Sequence, residues 1–374
     1  MDLFIKAIMD SEKLDKTREL IDKIVKDCSE NPLFLSSFTK EYMEVNKLRG
    51  WTPLILVIYN EKNPVGFVPL QIKWKLGVPI VSFMHRPILP DFVFYDEFRE
   101  KGIEKIIDFV FSNFNCQLAD LTLRVESSNI KSLEKIFEKK SIYFRKTPEI
   151  GDEKGRFIVN IQETWEEYIK KRGRRFRKKF RQTTRRLDDA GLWKVICVNE
   201  EKIDEKTVKK VYEIDGHSWK EDWRVQKGED NDPYLLLLLQ GAKNTQPIDS
   251  FSARVYFLEL NNIPIAFAIV VQYKEVAYLI KTSYDKRYRR FNPGNFVINY
   301  AIQEMFNKNE VKKIDFITAL HFTKTWMTVY KPRIKIVATK KRLIPIVINY
   351  FLSSPNLRKI YKSLQNKIPI IDFW

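Results

Sequence analysis

Two stretches of the sequence hold residues whose types and spacing could do chemistry. The first is Val276–Asn307, where an apolar strand pattern, VAYLIKTSYD, runs into a basic loop with Pro-Gly, and a helix pattern begins at once. Backbone N–H groups at such a strand-to-helix turn, together with the helix dipole, form a site for phosphate. Gly294 would let a phosphate approach the backbone closely. The expected cradle is Arg287, Arg289, Arg290, Asn292, Gly294 and Asn295; the alternative is a plain connecting loop. No GxxxxGK[ST] and no GxGxxG occurs, so neither a P-loop nor a dinucleotide fold is indicated.

The second stretch is Lys170–Arg186, with eleven basic residues in seventeen positions and no acid. The chain carries 66 Lys+Arg and 48 Asp+Glu, a net charge of +18, so this run leaves 18 − 11 = +7 for everything else. Trp165, Ile169, Phe176, Phe180 and Leu187 recur at helical spacing, which predicts one helix over 164–190. Thr164 with Glu167 reads as its capping box and Gly191 as its stop. Arg174, Arg175, Arg177, Lys178, Lys179 and Arg181 would then form a track for phosphates on RNA, a nucleotide cofactor or acidic lipid. The alternative is a solvated helix held by its aromatic stripe.

Titratable candidates are few. His217 and His321 are two of three histidines, and imidazole near neutral pKa suits a general base, though a structural role competes. Asp91, in a proline-bounded loop, could orient or deprotonate an acceptor, or simply cap the loop. Asp285 reads as a turn residue, and Trp165, Trp219 and Trp326 as core or groove walls. Cys28, Cys116 and Cys197 are far apart with no CxxC, which argues against a disulfide scaffold and structural zinc and for a reducing compartment.

The elements that must position these residues follow from length and patterning. The 374 residues, 44% hydrophobic, suit two domains with real cores. No apolar run approaches the ~20 residues of a spanning helix, so a cytoplasmic protein is expected. Strand patterns cover Pro53–Tyr59, Gly66–Trp74, Val78–Phe83 and Leu118–Val125, with helix patterns at Asp10–Asp27, Pro32–Lys47, Glu100–Phe114 and Lys131–Lys139. After a polar seam at 148–155 the order repeats: YNEKNPVGFVPLQIKW in the first half corresponds to LELNNIPIAFAIVVQY in the second, which turns at Asn261–Asn262. The expected division is 1–150, 151–340, and an extension 341–374 whose basic amphipathic LRKIYKSLQNK could touch a membrane surface.

Five segments then occur in order: TWEEYIKKRGRRFRKKFRQTTRRLDDAG, IDGHSWK, IPIAFAIV, SYDKRYRRFNPGNFVINYAI and IDFITALHFTKTW. Together they resemble the acetyltransferase-like family found with cellulose and exopolysaccharide biosynthesis, within the GNAT superfamily and related to the Fem-type peptidyltransferases. The chain has Ala319 where that family often has Gly, and Thr323 where Tyr often precedes the Lys. The resemblance implies an α/β protein of two tandem GNAT-like domains, each a mixed twisted sheet flanked by helices. It implies an acyltransferase acting from acetyl-CoA or another acyl-CoA on an amine or hydroxyl of a small-molecule or lipid-linked glycan precursor. By the same resemblance Lys324 would stabilise the oxyanion. The alternatives are a Fem-like enzyme using aminoacyl-tRNA as donor, and an RNA-binding protein without chemistry on the same fold.

Overall fold

The computed structural model describes residues 2–75, 78–84, 90–150, 154–218, 233–245 and 251–339. In chain order the strands are β1 (Leu3–Ile8), β2 (Thr52–Asn60), β3 (Asn63–Lys75), β4 (Val78–Phe83), β5 (Val93–Phe94), β6 (Leu118–Arg124) and β7 (Tyr143–Glu149). They continue with β8 (Gly155–Asn160), β9 (Trp193–Asn199), β10 (Phe251–Leu260), β11 (Ile263–Tyr273), β12 (Val276–Tyr284), β13 (Lys313–Asp315) and β14 (Val329–Thr339). The helices are α1 (Ser11–Asp15), α2 (Arg18–Cys28), α3 (Ser36–Leu48), α4 (Arg99–Asn113) and α5 (Asn129–Lys139). After them come α6 (Trp165–Lys171), α7 (Arg174–Ala190), α8 (Glu205–Gly216), α9 (Pro233–Lys243) and α10 (Pro293–Lys308). The extension 341–374, with its expected membrane-facing helix, lies outside the described residues, as does Trp219. Among the described residues no helix is long and apolar enough to cross a membrane.

The chain forms two compact units. One holds the described residues up to Ser29, Asn46–Glu149 and those from Pro332 onward; the other holds Glu30–Val45 and Ile150–Lys331. Two segments therefore cross the division expected from sequence. Glu30–Val45 belongs to the second unit because Tyr278 donates to the Glu30 carbonyl, Lys313 pairs with the Glu30 carboxylate, and Phe38 packs on Phe251. The residues of β14 from Arg333 onward belong to the first, where they pair antiparallel with both β6 and β7. Such long-range pairing leaves no local mark in the sequence.

In the first unit the sheet order is β1-β2-β3-β4-β6-β14, with β4 and β6 parallel and the other neighbours antiparallel. Strand β2 is buried along nearly its whole length, as its unbroken PLILVIY run requires. In the second unit the order is β9-β10-β11-β12-β13-β8, with β12 and β13 parallel and the rest antiparallel. Asn261 and Asn262 turn the β10–β11 hairpin at φ 52° and 63°, left-handed values that Asn tolerates and that match strand twist. A parallel pair needs a crossover, and α10 supplies it, burying Phe296, Val297, Ala301, Ile302 and Met305 in the core that holds Ala266, Ala268 and Val270 of β11.

The single basic helix expected over 164–190 is broken. The capping box at Thr164–Glu167 opens α6, but Arg172 is extended and Gly173 starts α7 afresh at ψ 151°. Glycine lowers the cost of that break, and Arg177 stabilises it by donating to the carbonyls of Lys170 and Arg172. The aromatic stripe still works on both pieces. Trp165 and Tyr168 pack on Phe306, while Phe180 stacks on Phe296 at 5.5 Å. Gly191 ends α7 at φ 140°, a value that disfavours any side chain.

One buried ion pair ties β8 to β13: Arg156 with Asp315, both almost wholly buried. Removing one partner of such a pair leaves an uncompensated charge, so Asp315→Ala should destabilise the chain by about 3–5 kcal/mol. Urea unfolding of the variant against the parent measures this directly. A loss within the noise of an ordinary surface substitution would show that the pair is dispensable.

Candidate functional site

The site arises where the parallel pair parts. Strands β12 and β13 pair only from Val276↔Lys313 to Tyr278↔Asp315. Beyond that, β12 runs on to Tyr284, bonded to β11 on its other side, while β13 stops. The chain leaves β13 through a γ-turn: Thr318 N–H meets the Phe316 carbonyl at 2.5 Å around Ile317, whose φ is 61°. A β-branched residue there stores roughly 1–3 kcal/mol of strain. Asp315 holds it in place, since its Oδ1 accepts the Ile317 N–H at 2.7 Å while Oδ2 faces Arg156.

A cavity of about 610 Å³ fills the split. Lys281, Ser283 and Tyr284 of β12 form one wall, and Phe316, Thr318 and Leu320 form the other. Asn292, Gly294 and Asn295 close one end, at the start of α10. Asn292 sits in the left-handed region (φ 48°, ψ 46°), which Asn adopts more readily than most residues. Its Oδ1 accepts from Asn295 Nδ2 at 2.7 Å. Pro293 occupies the first helical position and has no N–H, so the first-turn donors without an intrahelical acceptor are those of Gly294 and Asn295.

A second cavity, about 530 Å³, shares Asn292, Asn295, His321 and Phe322 with the first. Helix α7 lines it with Arg175, Phe176, Lys179 and Phe180, and Asn299 and Trp326 complete the wall. Trp326 is locked from three sides. Tyr168 and Arg172 bond the Trp326–Met327 carbonyls, Trp326 Nε1 donates to Asn299 Oδ1 at 3.2 Å, and Phe176 meets the indole edge-on. This is what the aromatic stripe of α6 and α7 positions.

The expected residues divide accordingly. Asn292, Gly294, Asn295, His321, Arg175 and Lys179 line the two cavities. Arg287, Arg289 and Arg290 do not: they are exposed on the 3-10 segment Lys286–Phe291, with Arg287 paired to Asp285 and Arg290 stacked on Phe291. Gly294 is also tight for a different reason than anion approach, because a Cβ there would stand 3.0 Å from the Tyr284 ring. Lys324 is exposed and is in neither lining, although Thr323 before it lines the first cavity and Thr325 after it lines the second. His217 ends α8, its Nδ1 2.8 Å from the Glu213 carbonyl and its own carbonyl accepting the Lys286 N–H, so it anchors the loop. Arg174, Lys178 and Arg181 are exposed on α7 outside both linings, and Arg177 is spent on the α6 carbonyls.

Asp91 belongs to the first unit and is structural. Its Oδ1 accepts from Phe92 N, Ser127 Oγ and Asn129 Nδ2 within 2.9 Å, and Arg124 lies 3.5 Å from Oδ2. A carboxylate so engaged has little capacity left for an acceptor's proton. Sequence reasoning missed Asn299, Ser283 and Ile317. A polar Asn among the apolar positions of α10 was the available signal for the first; the other two depend on where the strands part.

Asp285 sets the loop that leads into α10. It accepts the Arg287 N–H at 2.9 Å and faces the Arg287 guanidinium with both oxygens. Burial pushes its carboxyl up, but the Arg287 hydrogen bonds and charge outweigh that and hold it below the ordinary carboxylate value. A folded-state value below the unfolded one, about 3.9, stabilises the chain above that pH and is lost as pH falls through the folded value. Asp285→Asn should therefore lower Tm at pH 7 and make a smaller difference at pH 3. A gap of the same size at both pH values would place the effect outside the carboxylate's charge.

Residues 174–325 match the acetyltransferase (GNAT) domain family. A search of curated proteins by sequence finds no match. Among solved structures, the chain resembles FemX at 13% identity, covering 90% of this chain and 97% of that one, with a TM-score of 0.56. It resembles L-PGS from Bacillus licheniformis at 10% identity, over 92% and 96% of the two chains, also at 0.56. A third likeness is to the C-terminal DUF2156 domain of an Agrobacterium fabrum chain assigned as a lysylphosphatidylglycerol synthetase, at 10% identity over 90% and 95%, again at 0.56. At such identities the likeness is one of fold. Over residues 174–325 the fold is GNAT-like, a mixed sheet flanked by helices, and in this chain its parallel pair parts beside a cavity.

Proposed function

We propose that the second unit transfers an acyl group to an amine or hydroxyl, with the donor entering the split between β12 and β13. The observation that carries this is the junction of two cavities at Asn292, Asn295, His321 and Phe322, one beside an opened strand edge and one beside a basic helix. The acceptor nitrogen or oxygen attacks the donor carbonyl, a new C–N or C–O bond forms, and the bond to the carrier breaks. His321 takes the acceptor's proton and passes it to the departing carrier oxygen or sulfur, and the Gly294 and Asn295 N–H groups offer the donors that a developing negative charge needs. In this reading Lys324 has no part. The first unit, whose sheet repeats the same order of pairing senses, is the other copy of a tandem GNAT pair.

The carrier is aminoacyl-tRNA. The sequence resemblance to the Fem-type peptidyltransferases supports this, as do the exposed bases of α7 beside the second cavity. Acyl-CoA is the second reading, favoured by the match of residues 174–325 to the acetyltransferase domain and by the strand split itself. The acceptor is a cell-surface precursor, a small or lipid-linked glycan.

Arg174→Gln, Lys178→Gln and Arg181→Gln combined should leave both cavities intact and weaken tRNA binding, lowering the salt slope by roughly 0.7–0.9 for each phosphate no longer neutralised. His321→Gln should reduce transfer by on the order of 10²–10⁴-fold with donor affinity retained, and Lys324→Met should turn over like the parent. Steep salt dependence for tRNA with no heat or melting shift from acetyl-CoA supports the first carrier; the reverse supports the second. Binding of tRNA with no transfer of its acyl group to any acceptor would make the protein a binder only.

A further inference from the structure

Asn299 on α10 is 1% exposed, and its amide orientation is fixed. An indole nitrogen only donates, so the oxygen of Asn299 must face Trp326 Nε1, and Nδ2 must point the other way. That Nδ2 is buried with no hydrogen-bond partner among the described residues. A buried donor left unmade is costly, and such groups in native proteins call for an explanation. Asn299 belongs to the wall of the second cavity. The rest of that wall is unusual in composition. It combines five aromatic rings, those of Phe176, Phe180, Phe296, Phe322 and Trp326, with two cations, Arg175 and Lys179, and no carboxylate among the described lining residues.

These features define a ligand. Aromatic walls take an apolar face, either a chain or the C–H face of a sugar ring. Two cations on one turn of α7, with no carboxylate beside them among the described lining residues, take an anion. One amide N–H without a partner among the described residues takes a single carbonyl or hydroxyl oxygen. We propose that the second cavity is the acceptor pocket and that it holds an organic phosphate: phosphate on Arg175 and Lys179, body against the rings, and one acceptor oxygen on Asn299 Nδ2. Because Nδ2 is buried, binding includes a small shift of a wall side chain, of the kind side chains make at binding surfaces. Asn299 is then a specificity-determining residue, positioned by Trp326. The proposal rests on the transfer reading for the word acceptor, but the pocket and its ligand class stand on the wall itself.

Calorimetry on the full chain tests it with three probes: N-acetylglucosamine 1-phosphate, n-octyl phosphate and inorganic phosphate. One of the two organic phosphates should bind at least tenfold more tightly than inorganic phosphate, and which one does so tells a glycan source from a lipid source. Asn299→Asp keeps an oxygen for Trp326 and removes the donor, so it should weaken that probe by about tenfold. Arg175→Gln with Lys179→Gln, at exposed positions that leave folding alone, should weaken it and flatten its salt dependence. Equal affinity for all three probes, or parental affinity in both variants, overturns the assignment. Tight, Asn299-dependent binding without any acyl transfer would leave the pocket standing and remove the transfer reading; transfer that ignores all three substitutions would do the opposite.

Discussion

The site depends on one buried interaction, the pairing of Arg156 on β8 with Asp315 at the end of β13. Burying two charges is not a route to stability by itself, because desolvation offsets most of their attraction. Its value lies in what the carboxylate does next. Asp315 also accepts the Ile317 N–H and so fixes a γ-turn that an isoleucine would not adopt unaided. That turn carries the chain away from β12 just after the third residue pair of the parallel ladder. The strand edge stays open and a cavity fills the gap. An apolar pair at these positions could hold β8 to β13, but it could not hold the turn.

Helix α7 shows how much of a strong charge run can be consumed by structure. Arg172 is stacked on Tyr168 and bonded to the Met327 carbonyl, Arg177 closes the end of α6, and Arg186 reaches the Arg290 carbonyl. These three relieve helix ends and loops that lack other donors. Lys171 pairs with Glu163, and the bases left on α7 repel one another, a strain that the stripe of Phe176, Phe180 and Leu187 must offset through packing.

Much of the fold was legible because its signals are local. The Thr164–Glu167 box, the Asn261–Asn262 turn, the Gly191 stop and the strand patterns around the 59–74 and 258–273 repeat each act within a few residues, and the structure has all of them. The break at Gly173 was also local, but eleven bases around an aromatic stripe concealed it. Other features were invisible for a physical reason. Glu30–Val45 joins the second unit through contacts more than 200 residues away in sequence. Asn292, Asn295 and His321, which a helix start and a motif mark in the sequence, line both cavities, and Gly294 lines the first. Lys324, Asp91, Arg287, Arg289 and Arg290 line neither, and residue type alone says nothing about whether a neighbour has already claimed a side chain.

The start of α10 also bears on the identity of the carrier. A pyrophosphate cradle works through several backbone N–H groups converging at a helix N-terminus, with glycines allowing close approach. Here Pro293 removes one of those groups, Asn292 supplies the left-handed turn in place of a glycine, and Gly294 is backed by the Tyr284 ring. Two N–H groups remain, and the neighbouring arginines lie outside the cavity lining. That is a small donor set for two phosphates and an adequate one for a single oxyanion. The larger positive surface lies on α7, exposed and beside the second cavity. A carrier whose phosphates are many and spread out uses such a surface; one with a compact pyrophosphate does not. The division of donors between α10 and α7 therefore sets a small group of backbone N–H donors at the split apart from an exposed positive surface on α7.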